Sequence, residues 1–125
     1  MLFDTDVLIW VLRGNPKAAR TVEDASARAL SIVSYMELLQ GARDKREMKA
    51  IRSFLADFAF EVVPLSENIG HRAAIYMEQY ALKGALRVAD ALIGATGVET
   101  GRTLCSANRK HYRPISDLDL RIFRP

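Results

Sequence analysis

Short apolar runs of β type alternate with helical patterns from end to end of this chain, the order expected of an α/β domain on a mainly parallel sheet. Met1-Leu2-Phe3 predicts a strand that ends at Asp4, and Thr5 to Leu12 continues as a helix closed by Gly14-Asn15-Pro16. A second helix is expected from Pro16 to about Ser26, a second strand from Ala29 to Val33, and a helix that starts at Ser34 and carries Glu37, Leu38 and Ala42. From Arg46 to about Phe58, the spacing of Met48, Ile51, Phe54, Leu55 and Phe58 marks one buried helical face. Phe60 to Leu65 reads as the third strand. Ser66 then caps a helix with Ile69, Ala73, Tyr76, Met77 and Tyr80 on one side. Gly84 interrupts, and another helix begins near Arg87. Thr103 to Ser106 is the fourth strand, Asn108 to Tyr112 a short helical turn, and Leu120 to Phe123 an edge strand.

The helix after Arg87 sets Gly94, Gly97 and Gly101 on roughly the face of Asp90. Glycine costs up to about 1 kcal/mol inside a helix, so close backbone approach by another segment is expected there. With 125 residues the chain reads as one domain over 1–125, without linkers or repeats. Its only cysteine, Cys105, lies in the apolar run Thr103-Leu104-Cys105 and reads as a small core side chain, in keeping with a reducing compartment. The N-terminus lacks the basic segment and long apolar run of a signal peptide, and no stretch reaches membrane-spanning length. A soluble, cytoplasmic protein without membrane association is therefore expected. The net charge of +3 would assist association with a polyanion without demonstrating it.

Three acids stand in apolar company: Asp4 after Leu2-Phe3, Glu37 between Met36 and Leu38, and Asp90 between Ala89 and Ala91. A carboxylate in such surroundings costs several kcal/mol unless something compensates it. Asp4 is placed at the carboxyl end of a strand, where ligand sites form in open α/β sheets. Glu37 and Asp90 are placed in the first turns of their helices, where backbone N–H groups favour the ionised form. With one Cys and two His in the chain, the donors on offer are oxygens, which suit Mg²⁺ or Mn²⁺ better than Zn²⁺. Each acid also has a purely local reading. Ser34-Tyr35-Met36-Glu37 is a capping-box pattern, and Asp4 and Asp90 are each placed to cap a helix.

Four stretches, Phe3-Asp4-Thr5-Asp6-Val7-Leu8-Ile9, Ser34-Tyr35-Met36-Glu37-Leu38-Leu39-Gln40-Gly41, Ala89-Asp90-Ala91-Leu92-Ile93-Gly94-Ala95 and Leu104-Cys105-Ser106-Ala107-Asn108-Arg109-Lys110-His111-Tyr112, together resemble the PIN-domain family, specifically the VapC-type toxins of toxin–antitoxin pairs. The resemblance implies a three-layer α/β/α fold with a parallel sheet and a Mg²⁺- or Mn²⁺-dependent ribonuclease site in which Asp4, Glu37 and Asp90 fall on the acidic positions. It also implies a homodimer held inactive by a cognate antitoxin. Many members carry a fourth acid after the fourth strand, where this chain has Ser106-Ala107-Asn108. Asn108 is then a neutral substitute that would orient a water or phosphate, and a second metal ion is in doubt. Asp6 stands where Asn is common, either strengthening cation binding or, the preferred reading, charging the first helical turn.

Phosphodiester hydrolysis follows as the expected chemistry: Asp4 and Asp90 hold the metal, and Glu37 binds through water or orients the nucleophile. Arg87, Arg109 and Lys110 are candidate phosphate contacts, with an ordinary solvated surface as the alternative. His111 is expected to contact RNA or to lie exposed. An apolar excess on the helix around Ile69, Tyr76, Met77 and Tyr80 is a candidate dimer face, with ordinary core packing as the alternative. The rival of another class is a non-catalytic RNA- or protein-binding module on the same fold. A phosphatase or receiver domain would need an Asp after a middle strand and a Lys after a later one, and neither is evident.

Overall fold

Burial follows the apolar runs closely. The computed structural model describes residues 1–125, with strands β1 (Leu2–Phe3), β2 (Ala29–Ser31), β3 (Glu61–Val63), β4 (Leu104–Ser106) and β5 (Leu120–Ile122). They form one sheet in the order β3-β2-β1-β4-β5, and every pairing is parallel. The helices are α1 (Thr5–Leu12), α2 (Pro16–Asp24), α3 (Ile32–Gln40), α4 (Lys45–Asp57), α5 (Glu67–Tyr80), α6 (Val88–Thr100) and α7 (Arg109–Tyr112).

Alternation along the strands splits the core in two. Leu2, Ala29 and Leu104 face α5 and α6, packing with Ile69, Ala73, Ala91 and Ile93. Phe3, Leu30 and Cys105 face the other way, against Val7 and Leu8 of α1, Ala18 and Val22 of α2, and Ile51 and Leu55 of α4. The result is the three-layer α/β/α fold. Each large side chain fully buried here, such as Phe3, Leu8 or Leu104, contributes roughly 1.5–3 kcal/mol. Parallel strands present all their carboxyl ends at one edge, so Asp4, the residues after Ser31 and those after Ser106 emerge together.

Several expectations need correction. The second strand stops at Ser31, whose hydroxyl caps α3 by accepting a hydrogen bond from Val33 N at 3.1 Å. Burial of Val33 outweighs the mild helix aversion of a β-branched residue. Ser34 is therefore inside the helix, buried with an unpartnered hydroxyl, and makes no capping box with Glu37. Glu37 falls in the second turn, beyond the region where the N-terminal amides act most strongly. On α5, Ile69, Ala73 and Tyr76 are all buried within the chain, so the apolar face expected to drive dimerisation is core. On α4, Ile51 and Leu55 are buried but Met48 is exposed.

The α6 glycines divide into two kinds. A Cβ on Gly94 would lie 2.7 Å from Ile115 Cδ1 and one on Gly97 2.9 Å from Leu118 Cδ1, so the segment after α7 packs directly on the helix backbone. Gly101 has φ +62° and ends the helix in the left-handed conformation that glycine tolerates.

Candidate active site

Asp4 ends β1 and starts α1. Its backbone N–H donates to Cys105 O at 2.9 Å, which ties it to β4, and its carboxylate accepts from Thr5 N at 2.8 Å and Ser106 Oγ at 2.7 Å. It is the one buried acid of the chain. Burial, reinforced by the nearby negative charge of Asp6, pushes its carboxyl up to about 7, against the pull of the Ser106 and Thr5 hydrogen bonds.

Asp6 belongs to the same cluster. One of its oxygens accepts from Val7 N at 2.7 Å, and the other from Ala107 N at 3.0 Å and Asn108 Nδ2 at 3.2 Å. Burial raises its carboxyl too, partly offset by the amides of Ala107 and Val7 and by His111. Asp6 thus does more than charge a helical turn, since it fixes the loop after β4. Asn108 spends its amide on Asp6. Ser106 joins the two halves: its hydroxyl donates to Asp4 and accepts from Asn108 N at 3.0 Å.

The other two acids approach from neighbouring helices. Glu37 is half-buried on α3 and accepts from Thr5 Oγ1 at 2.6 Å. Asp90, in the first turn of α6, accepts from Arg87 N at 3.1 Å, and its Oδ2 lies 3.4 Å from His111 Nδ1. The local capping readings of Asp4 and Asp90 are therefore realised alongside any further role. Tyr112 closes the floor. Its hydroxyl is buried without a hydrogen-bond partner, and burial together with the charges of Asp4 and Asp90 raises its ionisation far above the ordinary phenol value.

As they stand, no three Asp, Glu, His or Cys side chains are close enough to enclose a metal ion. The donor chemistry nonetheless fits a hard cation, because the cluster is all oxygen and holds two carboxyls raised by burial with no cationic side chain bonded to either. Asp117, the next acid in the chain after the fourth strand, is elsewhere: it pairs with Arg72 at 3.2 Å and accepts from Tyr76 Oη at 3.2 Å. Arg87, Arg109 and Lys110 are exposed at this edge of the sheet and make no ion pair. Sequence reasoning missed Thr5 and Tyr112. Thr5 looks like any first-turn residue, and Tyr112 like any aromatic core residue, until the fold turns the one toward Glu37 and the other toward Asp4.

Residues 1–115 match the profile of the PIN domain. The chain is 26% identical over 124 residues to ribonuclease VapC1 of Methanocaldococcus jannaschii, covering 98% of this chain and 86% of that protein. A solved toxin–antitoxin complex from Klebsiella pneumoniae contains a chain similar at 27% identity with a TM-score of 0.79, over 94% of this chain and 93% of that one. The VapBC2 structure from Rickettsia felis, bound to a promoter DNA fragment, has a TM-score of 0.82 at 18% identity over 98% of both chains, a likeness of fold alone. With the profile spanning nearly its whole length and the acidic edge in place, the chain belongs to the PIN-domain family.

Proposed function

We propose that this chain is a metal-dependent endoribonuclease and the toxin of a toxin–antitoxin pair, acting as a cytoplasmic homodimer restrained by its antitoxin. The observation that carries the reading is the gathering of Asp4, Asp6, Glu37 and Asp90 at the carboxyl edge of the sheet, joined through Ser106, Thr5 and His111. The name of the similar ribonuclease and the toxin–antitoxin complex support it. Asp4, Asp6 and Asp90 would hold Mg²⁺ or Mn²⁺, with Glu37 beside it. Such an ion, when bound, polarises the scissile phosphate and lowers the pKa of a bound water.

The chain's own residues supply the rest. Ser106 fixes one oxygen of Asp4, and Ala107 N and Asn108 hold Asp6 in place. Thr5 aims Glu37, placing a general base or water-orienting group at the mouth. Arg87, Arg109 and Lys110 would neutralise backbone phosphates.

A second reading, a non-catalytic RNA- or protein-binding module, is favoured by one observation: no three ligands are preassembled for an ion. RNA cleavage by purified wild type and Asp90→Asn in Mn²⁺ decides between them. Cleavage by wild type alone is expected. RNA retention with no cleavage by either protein would establish the binding module instead.

A further inference from the structure

Between α2 and β5 runs a cleft of about 360 Å³, on the face of the sheet away from Asp90 and α6. Its walls carry Lys17 and Arg20 from α2 and Arg121 and Arg124 from β5 and its extension, with Asp24 the one acid among them and Cys105 at the floor. The placement is a direct result of strand register. Arg121 lies opposite Cys105 in the β4–β5 ladder, so both side chains point to the α2 face, and Phe123 packs in the same cluster as Ala18 and Val22 of α2. The thiol is fully buried and burial pushes it up to about 11, so it serves as floor and not as nucleophile.

Two features bear on what this cleft could hold. All four cations are exposed and none pairs with Asp24 or any other carboxylate, so their charge is free for an external partner. Four cations against one acid, set on the two walls of a concave surface, focus a net positive potential that an external anion would relieve. The cleft also opens beside the acidic site. Phe123 N donates to Ser106 O at 2.9 Å, and Ser106 Oγ donates to Asp4. Asp4 and Phe123 are therefore two strand spacings apart, about 10 Å.

We propose that this cleft binds the backbone phosphates of single-stranded RNA running on from the acidic site, with Lys17, Arg20, Arg121 and Arg124 as the contacts. It lies on the side opposite Arg87, so that cations on both flanks would hold a strand across the carboxylates. The cations are spread along two elements, which suits a row of phosphates better than one compact anion. The proposal rests on the ribonuclease reading only for the identity of the polyanion.

The test is fluorescence anisotropy with a labelled mixed-sequence single-stranded RNA in EDTA, where cleavage is not read. The Lys17→Gln/Arg20→Gln/Arg121→Gln/Arg124→Gln protein should bind about tenfold or more weaker, and its log–log salt slope should be shallower by about 3, the contribution of four phosphate contacts on a single strand. The milder Arg121→Gln/Arg124→Gln variant should fall between, and circular dichroism reports whether each is folded. A control with the same charge loss elsewhere, Lys45→Gln/Lys49→Gln/Arg52→Gln/Lys83→Gln, should bind nearly as wild type does. Equal losses in cleft and control variants would mean that net charge alone attracts the RNA, and would overturn the proposal. So would unchanged RNA affinity in the cleft variant, including the case where it loses affinity only for an Asp/Glu-rich peptide. A chain that binds RNA through the cleft yet never cuts it would leave the proposal standing while removing the nuclease reading.

Discussion

Two clusters of charge, one at each end of α6, are built on opposite rules. Where α5 meets α6, the Arg72 guanidinium reaches Glu99 at 2.8 Å and Asp117 at 3.2 Å, and Tyr76 donates to Asp117. Each acid there has a cation. At the carboxyl edge of the sheet, Asp4 and Asp6 are met by hydroxyls and amides, and burial raises both carboxyls, that of Asp4 further through the charge of Asp6. The first cluster ties elements together, whereas the second is electrostatically costly as it stands, a cost that a bound cation would relieve. Carboxylates left uncompensated in a packed chain cost stability, which makes them the candidates for function.

The sharpest break in the comparison comes from activity. Asp4→Asn or Asp90→Asn should lower metal-dependent RNA cleavage by about 10³-fold, equivalent to the several kcal/mol a metal ion contributes, with far-UV circular dichroism unchanged. Arg72→Ala should leave cleavage near wild type. Comparable losses of activity in the two clusters would erase the distinction.

Next in size is pH dependence. Asp4 goes from about 7 in the folded metal-free chain to 3.8 when exposed, so between those values the folded state holds a proton that the unfolded state releases. Stability must then fall as pH rises from about 4 to 7, with a slope of up to about 1.4 kcal/mol per pH unit from this group. Thermal melts in EDTA should show the decline, and Asp4→Asn should flatten it and raise the melting temperature at pH 8.

In the paired cluster, Arg72→Ala strands Glu99 and Asp117, and because these groups are partly solvated the cost should be about 1 kcal/mol, read from urea denaturation. The smallest effect concerns Asn108. Its Nδ2 donates to Asp6, so Asn108→Asp turns a donor into a repelling acceptor and should cost the metal-free protein roughly 0.5–1 kcal/mol. Calorimetric titration with Mn²⁺ should show the variant recovering that cost on binding.

Much of this was legible in residue order. Asp4, Glu37 and Asp90 stood out by charge in apolar company, and the alternation of strand and helix patterns implied a parallel sheet that delivers them to one edge. Two serines three residues apart, Ser31 and Ser34, offered rival helix starts, and only the burial of Val33 decided between them. The α5 face around Tyr76 looked excessive for a small domain until α6 covered it. Long-range partners such as Thr5 with Glu37 or Asp6 with Ala107 leave no local periodicity, so they became visible only in three dimensions.

The most direct measurement follows melting temperature and RNA cleavage together as Mn²⁺ is returned to the EDTA-stripped protein, in wild type and Asp4→Asn. If the acidic edge is a cation site, wild type rises in melting temperature over the same Mn²⁺ range that restores cleavage, and Asp4→Asn does neither. Full cleavage in EDTA, or a melting temperature indifferent to Mn²⁺ in wild type, would contradict it.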